Sequence, residues 1–163
     1  MTVLILTGPP ASGKNSVAPF VARQRPRCAV IDVDQLRHML VQPHAAPWEG
    51  AEGERQARLG VENACLLAAR FAEDGCDVIL LDFLWEYTID IYRTRLAHLR
   101  PQIVLLMPSL EETLRRNHVR GWLPAHEVAM LYAKLETFHH YDIKIDNTEM
   151  SVEQLAARLT ALF

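Results

Sequence analysis

The first residues that could do chemistry form a loop between an apolar run and a helical stretch. Residues 8–14 read Gly-Pro-Pro-Ala-Ser-Gly-Lys, which fits the pattern Gly-x-x-x-x-Gly-Lys. Glycines let the backbone curl so that successive N–H groups face one point, and a following helix adds the positive end of its dipole. Lys14 adds a charge that can reach phosphate oxygens. The pattern therefore indicates a phosphate-binding loop, and the alternative is a chance turn between a strand and a helix.

Carboxylates that follow the next two apolar runs form a second group. Asp32 and Asp34 are separated by one residue, and the two-residue period of a strand would place both side chains on the same side. One carboxylate can hold Mg²⁺ through water while the other accepts a proton from an attacking hydroxyl. We assign Asp34 as the general base and Asp32 to the metal. The reverse assignment stays open, and so does a structural use in which one residue, such as Asp34, caps a helix and the other pairs with Arg37.

Two further charged groups occur later in the chain. Asp82 ends an apolar run and is suited to holding a magnesium-bound water, unless it serves as a helix cap or a structural partner of the loop. Arg116 and Arg120 lie four residues apart and so share one face of a helix. Their planar guanidinium groups can bind phosphate oxygens two at a time, and the alternative is a solvated basic face.

The apolar pattern predicts the elements that must position these groups. Five apolar runs predict strands near 3–6, 28–33, 77–82, 102–107 and 142–146, and helical segments lie between them. Ser109 with Glu112, and Ser151 with Gln154, predict capping boxes at two helix starts. This alternation indicates an α/β fold in which helices cover both faces of a parallel sheet, a three-layer sandwich. Ligands of such folds bind beyond the carboxyl ends of the strands, where the loop and all three aspartates lie.

Length and composition limit the classes of function. A chain of 163 residues is expected to form one domain, 1–163. The net charge of -3 gives no general attraction to nucleic acid or to an anionic membrane, so a nucleic-acid partner is disfavoured. Three cysteines without a Cys-x-x-Cys pair favour reduced thiols and a cytoplasmic location. We expect neither a signal peptide nor a membrane helix, because no apolar run is long enough.

Together these residues resemble the small P-loop kinases, the superfamily that includes nucleoside monophosphate kinases, shikimate kinase, gluconate kinase and chloramphenicol phosphotransferase. The loop, Asp32-Val33-Asp34, Asp82, the arginines and the last strand follow in the family's order along the whole chain. The resemblance implies a P-loop NTPase fold with the strand order 2-3-1-4-5, ATP as the phosphate donor and Mg²⁺ as the cofactor. In this superfamily the position of Asp82 often contacts the acceptor instead of the metal.

The resemblance also implies roles at the nucleotide site. The loop residues that it assigns to the nucleotide are Gly8, Pro9, Ala11, Ser12, Gly13, Lys14, Asn15 and Ser16. Asn15 departs from the motif, which has Ser or Thr there, so Ser16 would supply the hydroxyl to phosphate and Mg²⁺ as in the Lys-Gly-Thr loops of nucleotide kinases. The alternative is that Asn15 weakens direct ligation of the metal and leaves Mg²⁺ mostly coordinated by water. Residues 115–123 resemble the family's arginine lid, with Gly121 as a hinge. Asn147 matches the segment that holds adenine, or it lies in a simple turn.

The acceptor is expected to bind around residues 35–60 and Trp85. Arg37 and Arg58 could bind an anionic group of the acceptor, and Trp85 could stack on a ring, unless it only covers the core. We therefore expect an ATP-dependent kinase that phosphorylates a hydroxyl of a small molecule, either a metabolite or an antibiotic. Its catalytic residues would be Lys14, Asp34, Arg116 and Arg120.

Other functions remain open from the sequence. One is a nucleoside or nucleotide kinase, and another is a polynucleotide 5′-kinase, which the acidic net charge disfavours. A third is a regulatory module that binds ATP without catalysis. A GTPase switch is not favoured, because Asp82 is followed by Phe-Leu-Trp instead of the x-x-Gly of that class.

Overall fold

A five-stranded parallel sheet forms the centre of the protein in the computed structural model, which describes residues 1–163. The strands are β1 (Val3–Thr7), β2 (Cys28–Asp32), β3 (Asp77–Leu81), β4 (Gln102–Leu106) and β5 (Ile143–Ile145). Their order is β2-β3-β1-β4-β5, and all neighbouring pairs are parallel. This confirms the predicted fold class and strand order. Every residue of β1 and β3 is buried, as expected for central strands covered on both faces.

Seven helices cover the two faces of the sheet. They are α1 (Lys14–Arg23), α2 (Val33–His38), α3 (Gly50–Glu73), α4 (Ile89–Arg95), α5 (Leu110–Arg120), α6 (Ala125–Glu136) and α7 (Val152–Thr160). One hydrophobic cluster joins the sheet to residues of α3, α4 and α6, and a second joins it to α1 and α7. No helix combines the length and apolar character that a membrane span requires.

The end of β2 differs from the prediction in a way that affects the candidate site. We expected a strand through residue 33 and a helix from about 35, but β2 ends at Asp32 and α2 begins at Val33. The side chain of Asp32 accepts a hydrogen bond from the backbone N–H of Asp34 and so caps α2. Asp34 therefore lies in the first turn of a helix, where the two-residue period of a strand does not apply.

Of the two predicted capping boxes, one is complete and one is partial. Ser151 and Gln154 bond to each other's backbone N–H groups at the start of α7. Ser109 accepts from the N–H of Glu112, but its own N–H donates to the hydroxyl of Thr148. The Glu112 carboxylate instead binds two arginines of α5, because guanidinium groups are stronger donors than a backbone amide.

Candidate active site

A cavity of about 370 Å³ opens where β1, β2 and β3 end. Its wall brings together many of the residues that the sequence analysis singled out, namely Gly8, Ala11, Ser12, Gly13, Lys14, Asn15, Asp32, Asp34, Arg37, Asp82, Trp85 and Arg120. Five predicted site residues are not part of this wall, namely Pro9, Ser16, Arg58, Arg116 and Asn147. The structure therefore gathers the loop, three carboxylates and one lid arginine around a single space.

The loop after β1 is held tightly against the neighbouring strand. A Cβ atom added to Gly8 would lie 2.4 Å from the carbonyl oxygen of Leu106, so only glycine fits there. Gly13 has a φ of +100° and precedes the first residue of α1. The side chain of Asn147, which is almost fully buried, donates to the carbonyl oxygen of Ser12 at 2.8 Å. The segment after β5 thus holds the loop in place through this hydrogen bond.

Lys14 folds back over the loop that precedes it. Its Nζ donates to the carbonyl oxygens of Gly8 at 2.7 Å and Pro9 at 3.2 Å, and lies 3.3 Å from Ser12 Oγ. Burial lowers the pKa of Lys14 to about 8, and the charges of nearby aspartates, Asp34 foremost, oppose that shift. All its partners are neutral oxygens. The anionic oxygens of a phosphate are stronger hydrogen-bond acceptors and would compete with them for Lys14.

Asp32 and Asp34 line the same cavity but have different surroundings. Asp32 Oδ1 accepts from the N–H of Asp34 at 3.1 Å, and Asp32 Oδ2 accepts from Asn15 Nδ2 at 2.7 Å. Asp32, and not Asp34, is thus the helix cap that the sequence left open. The Asp34 side chain is 57% exposed, and its Oδ1 lies 3.5 Å from Arg37 Nε. Asp34 therefore keeps free acceptor capacity that Asp32 has largely used.

Asp82 is the most deeply buried carboxylate of the site. Burial raises its pKa to about 8, with the charge of Asp34 adding to the rise, while hydrogen bonds from Tyr92 and the Phe83 amide oppose it. The Tyr92 hydroxyl donates to Asp82 Oδ2 at 2.8 Å. Tyr92 was not predicted as a site residue, and the only signal for it is that a buried tyrosine usually needs a hydrogen-bond partner.

The donor set at this edge suits a magnesium ion held mostly through water. Nowhere in the chain do three His, Cys, Asp or Glu side chains lie close enough to bind one ion together. Mg²⁺ keeps several waters and usually takes only one or two carboxylates together with substrate phosphates. Asp32 and Asp82 face the cavity and match that requirement. The hydroxyl of Ser16 accepts a hydrogen bond from Arg120 at 3.0 Å, which places it beside the loop as well.

The two lid arginines do not meet the same partners. Arg120 reaches Ser16 at the start of α1, so its guanidinium lies next to the phosphate-binding loop. Arg116 instead pairs with Glu112 at 2.6 Å and donates to the carbonyl oxygens of Asn147 and Thr148 at 3.0 and 3.1 Å. Of the pair, only Arg120 lines the cavity.

The turn that follows α5 is anchored at both ends. The buried Asn117 donates its side-chain N–H to the carbonyl oxygen of Leu123 at 2.8 Å, and Gly121, with a φ of +64°, ends the helix. Between them Trp122 is 70% exposed and lines the cavity. Asn117 and Trp122 were not predicted as individual site residues, since nothing in the local pattern shows that one supports this turn and the other lines the cavity.

Three aromatic side chains, Trp48, Phe83 and Trp85, form another part of the cavity wall. Trp85 stacks on Tyr87 with ring centroids 5.7 Å apart, and it also packs against Phe83 and Trp48. Arg37 is buried and lines the cavity. Arg58 is exposed, and its Cζ lies 5.2 Å from the centroid of the Tyr87 ring. Arg58 therefore lies outside the cavity wall, and its contact with the acceptor stays a prediction.

Comparisons with known proteins agree with this architecture. A family model described as chloramphenicol phosphotransferase-like protein matches residues 1–163. A comparison with the curated proteins finds no match.

Solved structures share the fold at low sequence identity. A sugar kinase from Janibacter sp. HTCC2649 has a TM-score of 0.76, with 17% identity over 99% of this chain and 93% of that chain. The tunicamycin resistance protein of Deinococcus radiodurans has a TM-score of 0.74, with 16% identity over 99% of this chain and 95% of that chain. Shikimate kinase from Acinetobacter baumannii, in complex with shikimate, has a TM-score of 0.72, with 20% identity over 99% of this chain and 92% of that chain. At these identities the likeness shows the fold.

Proposed function

We propose, because this chain belongs to the chloramphenicol phosphotransferase-like family, that it transfers the γ-phosphate of ATP to a hydroxyl group of a small, uncharged molecule. The family is one of kinase-like phosphotransferases with a P-loop nucleotide-binding fold. The observation that carries the proposal is that Lys14, Arg120 and Asp34 line one cavity together with aromatic side chains, namely Trp48, Phe83 and Trp85. Such a cavity offers separate places for a charged donor and an apolar acceptor.

The loop side of the cavity would take the phosphates of ATP. The backbone N–H groups of the loop and the start of α1 favour anions, and Lys14 and Arg120 add two cations beside them. Asp32, Asp82 and Ser16 would hold a magnesium ion through its waters, and the ion would supply positive charge next to the phosphates. Arg116 would not contact the phosphates. It would fix the segment that contains Asn147, which is expected to hold the adenine of ATP.

Asp34 is the carboxylate best suited to accept the proton of the acceptor hydroxyl. Asp32 already accepts hydrogen bonds on both oxygens, and Asp82 is buried with a hydrogen bond from Tyr92. Asp34 Oδ2 accepts no hydrogen bond from the protein, and its side chain is exposed to the cavity. In the proposed step the hydroxyl oxygen attacks the γ-phosphorus, the bond to the leaving ADP oxygen breaks, and the hydroxyl proton goes to Asp34.

The acceptor side of the cavity favours an uncharged molecule with an apolar or ring-shaped part. Arg37 is the cation on that side, and its Nη1 and Nη2 atoms already contact Ala45 and His38. Arg58 and Lys134 are not part of the cavity wall, although Lys134 Nζ lies 5.7 Å from the centroid of the Trp85 ring. Within the wall itself, an acceptor phosphate or carboxylate would find no lysine or arginine on this side other than Arg37. The ring of Trp85 and its aromatic neighbours offer apolar contact instead. This supports a small-molecule alcohol over a nucleotide or a shikimate-like acid.

The test is acceptor-dependent ADP release from ATP and Mg²⁺ across pairs of compounds that differ only in charge. Each neutral alcohol, including aromatic antibiotics, sugars and nucleosides, is compared with its phosphorylated or carboxylated analogue. We expect transfer with neutral members of the panel and little with their anionic partners. Consistent preference for the anionic partners would contradict the acceptor assignment, and ATP binding without stimulation by any compound would contradict the kinase assignment.

The role of Asp34 is tested in the same assay. Asp34→Asn should bind ATP like the wild type, because its side chain is not needed by the loop, while transfer falls by a factor of roughly 100 or more. Asp90→Asn, which changes an aspartate in the first turn of α4 outside the cavity, is the matched control. Normal turnover by Asp34→Asn would show that another group takes the proton.

A further inference from the structure

We propose that Arg37 is a positioning residue that holds the Asp34 carboxylate for proton transfer, and that it does not bind the acceptor. This inference rests on the proposed function. Arg37 lies one helical turn after Asp34 in α2, and the two groups form an ion pair with an Nε to Oδ1 distance of 3.5 Å. Arg37 is only 9% exposed, whereas the Asp34 side chain is 57% exposed. One partner is thus fixed in the protein and the other reaches into the cavity.

The Arg37 guanidinium is held at its outer corners by the protein. Nη1 donates to the carbonyl oxygen of Ala45 at 2.9 Å, and Nη2 lies 3.3 Å from Nε2 of His38. Because a guanidinium can only donate, His38 must present an unprotonated Nε2 in this contact. The third position, Nε, has no hydrogen-bond acceptor within range although it is fully buried. Asp34 Oδ1 is its ion-pair partner at 3.5 Å, without the geometry of a hydrogen bond.

A second layer holds the carbonyl group that receives Arg37. The backbone N–H of Ala45 donates to Gln56 Oε1 at 3.1 Å, and Gln56 Nε2 donates to the Pro43 carbonyl oxygen at 2.9 Å. Gln56 belongs to α3 and is almost completely buried. The close approach of α2 to α3 at Gly60, where an added Cβ would lie 3.4 Å from Arg37 Cβ, limits the arginine further. Gln56, Ala45 and Arg37 thus form a continuous support beneath Asp34.

The buried positive charge of Arg37 attracts the Asp34 carboxylate. A guanidinium stays protonated in proteins, so its buried charge needs an anion nearby. Asp34 is the only carboxylate within 4.0 Å of Arg37, and Arg37 is the only cation within that distance of Asp34. Hydrogen bonds at active sites are often long before the substrate binds and shorten afterwards. A small approach of Asp34 would complete the bond to Nε and direct the free Oδ2 toward the acceptor hydroxyl.

The first test compares Arg37→Gln with the wild type in the transfer assay. We expect kcat to fall by a factor of about 10–100, since a misplaced base loses orientation, while KM for a neutral acceptor and the affinity for ATP stay within about threefold. Arg70→Gln is the matched control, because Arg70 forms an ion pair of the same spacing with Glu73 on the outer surface of α3. A rise in acceptor KM with unchanged kcat would overturn the inference in favour of direct acceptor binding.

A double variant separates positioning from a general loss of structure. If Arg37 acts through Asp34, then Arg37→Gln should cause little further loss of kcat in an Asp34→Asn background. A further loss as large as that seen in the wild-type background would contradict the inference. Gln56→Leu serves where Arg37→Gln folds poorly, because it leaves the guanidinium in place and removes the hydrogen bonds of Gln56 to Ala45, Pro43 and Glu52. It should lower kcat less than Arg37→Gln does, again with unchanged KM.

A measurement that needs no acceptor keeps this inference distinct from the proposed function. In ¹⁵N NMR spectra, the Arg37 Nε–H signal should be protected from exchange in the wild type and should shift and exchange faster in Asp34→Asn. Glu73→Gln should leave that signal unchanged. An identical Arg37 signal in the wild type and Asp34→Asn would overturn the pairing. Failure of the proposed function would appear separately, as a wild-type protein that transfers phosphate to no acceptor.

Discussion

Replacing Tyr92 by phenylalanine should destabilise the protein in a way that depends on pH. The Tyr92 hydroxyl is fully buried and donates to Asp82 Oδ2 at 2.8 Å, so Tyr92→Phe leaves a buried carboxyl oxygen without its donor. Losing a buried hydrogen bond of this kind costs about 2 kcal/mol, which in a chain of this size lowers Tm by about 4–8 °C.

The sign of the pH effect follows from the pKa of Asp82, which burial raises from 3.8 to about 8. Between these values the folded protein holds a proton that the unfolded chain has lost, so the free energy of unfolding falls as pH rises toward 8. The Tyr92 hydroxyl bonds more strongly to the ionised carboxylate than to the neutral carboxyl. Tyr92→Phe should therefore raise the pKa of Asp82 further, and its cost should be roughly 1 kcal/mol greater above pH 8 than below it.

Urea unfolding at about pH 6 and about pH 9.5, without nucleotide or metal, measures this difference. Tyr132→Phe is the matched control, because the Tyr132 hydroxyl is also buried but donates to the neutral carbonyl oxygen of Pro108 at 3.1 Å. Its cost should be the same at both pH values, and both variants lose one ionisable tyrosine. Equal, pH-independent costs for the two variants would refute the argument that Asp82 titrates in the folded protein while bonded to Tyr92.

Three other variants give shorter tests. Lys14→Met should abolish phosphoryl transfer. It should also raise the Tm of the nucleotide-free protein, because burial lowers the pKa of Lys14 to about 8 and so makes its charged form unfavourable in the folded state. An unchanged or lower Tm would contradict this. Gly8→Ala should weaken ATP binding, measured by calorimetry, by at least about tenfold, because its Cβ would lie 2.4 Å from the Leu106 carbonyl oxygen and would displace the loop. An affinity equal to that of the wild type would show that the loop accommodates the Cβ without losing its contacts to ATP. Asn117→Ala should lower the free energy of unfolding by about 1–2 kcal/mol in urea, because the Leu123 carbonyl loses its donor, and no change would mean that water replaces it.

Local pattern was sufficient for the fold and for the phosphate-binding loop. Apolar runs of strand length alternating with helices predict a parallel sheet, and the resemblance to small P-loop kinases supplied the order that the structure confirms. The loop was predictable because its glycines and Lys14 are neighbours in the chain, so their geometry depends on only a few adjacent residues. The end of β2 was predicted less well, because one capping hydrogen bond at Asp32 starts the helix earlier than the apolar pattern suggests.

Partners from distant segments decided which charged residues face the cavity. Helical spacing showed that Arg116 and Arg120 share a face, but a rise of about 6 Å between them brings one to Asn147 and the other to Ser16. Arg37 and Arg58 were equivalent in the sequence, yet packing of α2 on α3 buries Arg37 beside Asp34 and leaves Arg58 outside. A residue's type and its place along a helix are written in the sequence. Which atoms it meets depends on how whole elements pack, and only the tertiary structure decides that.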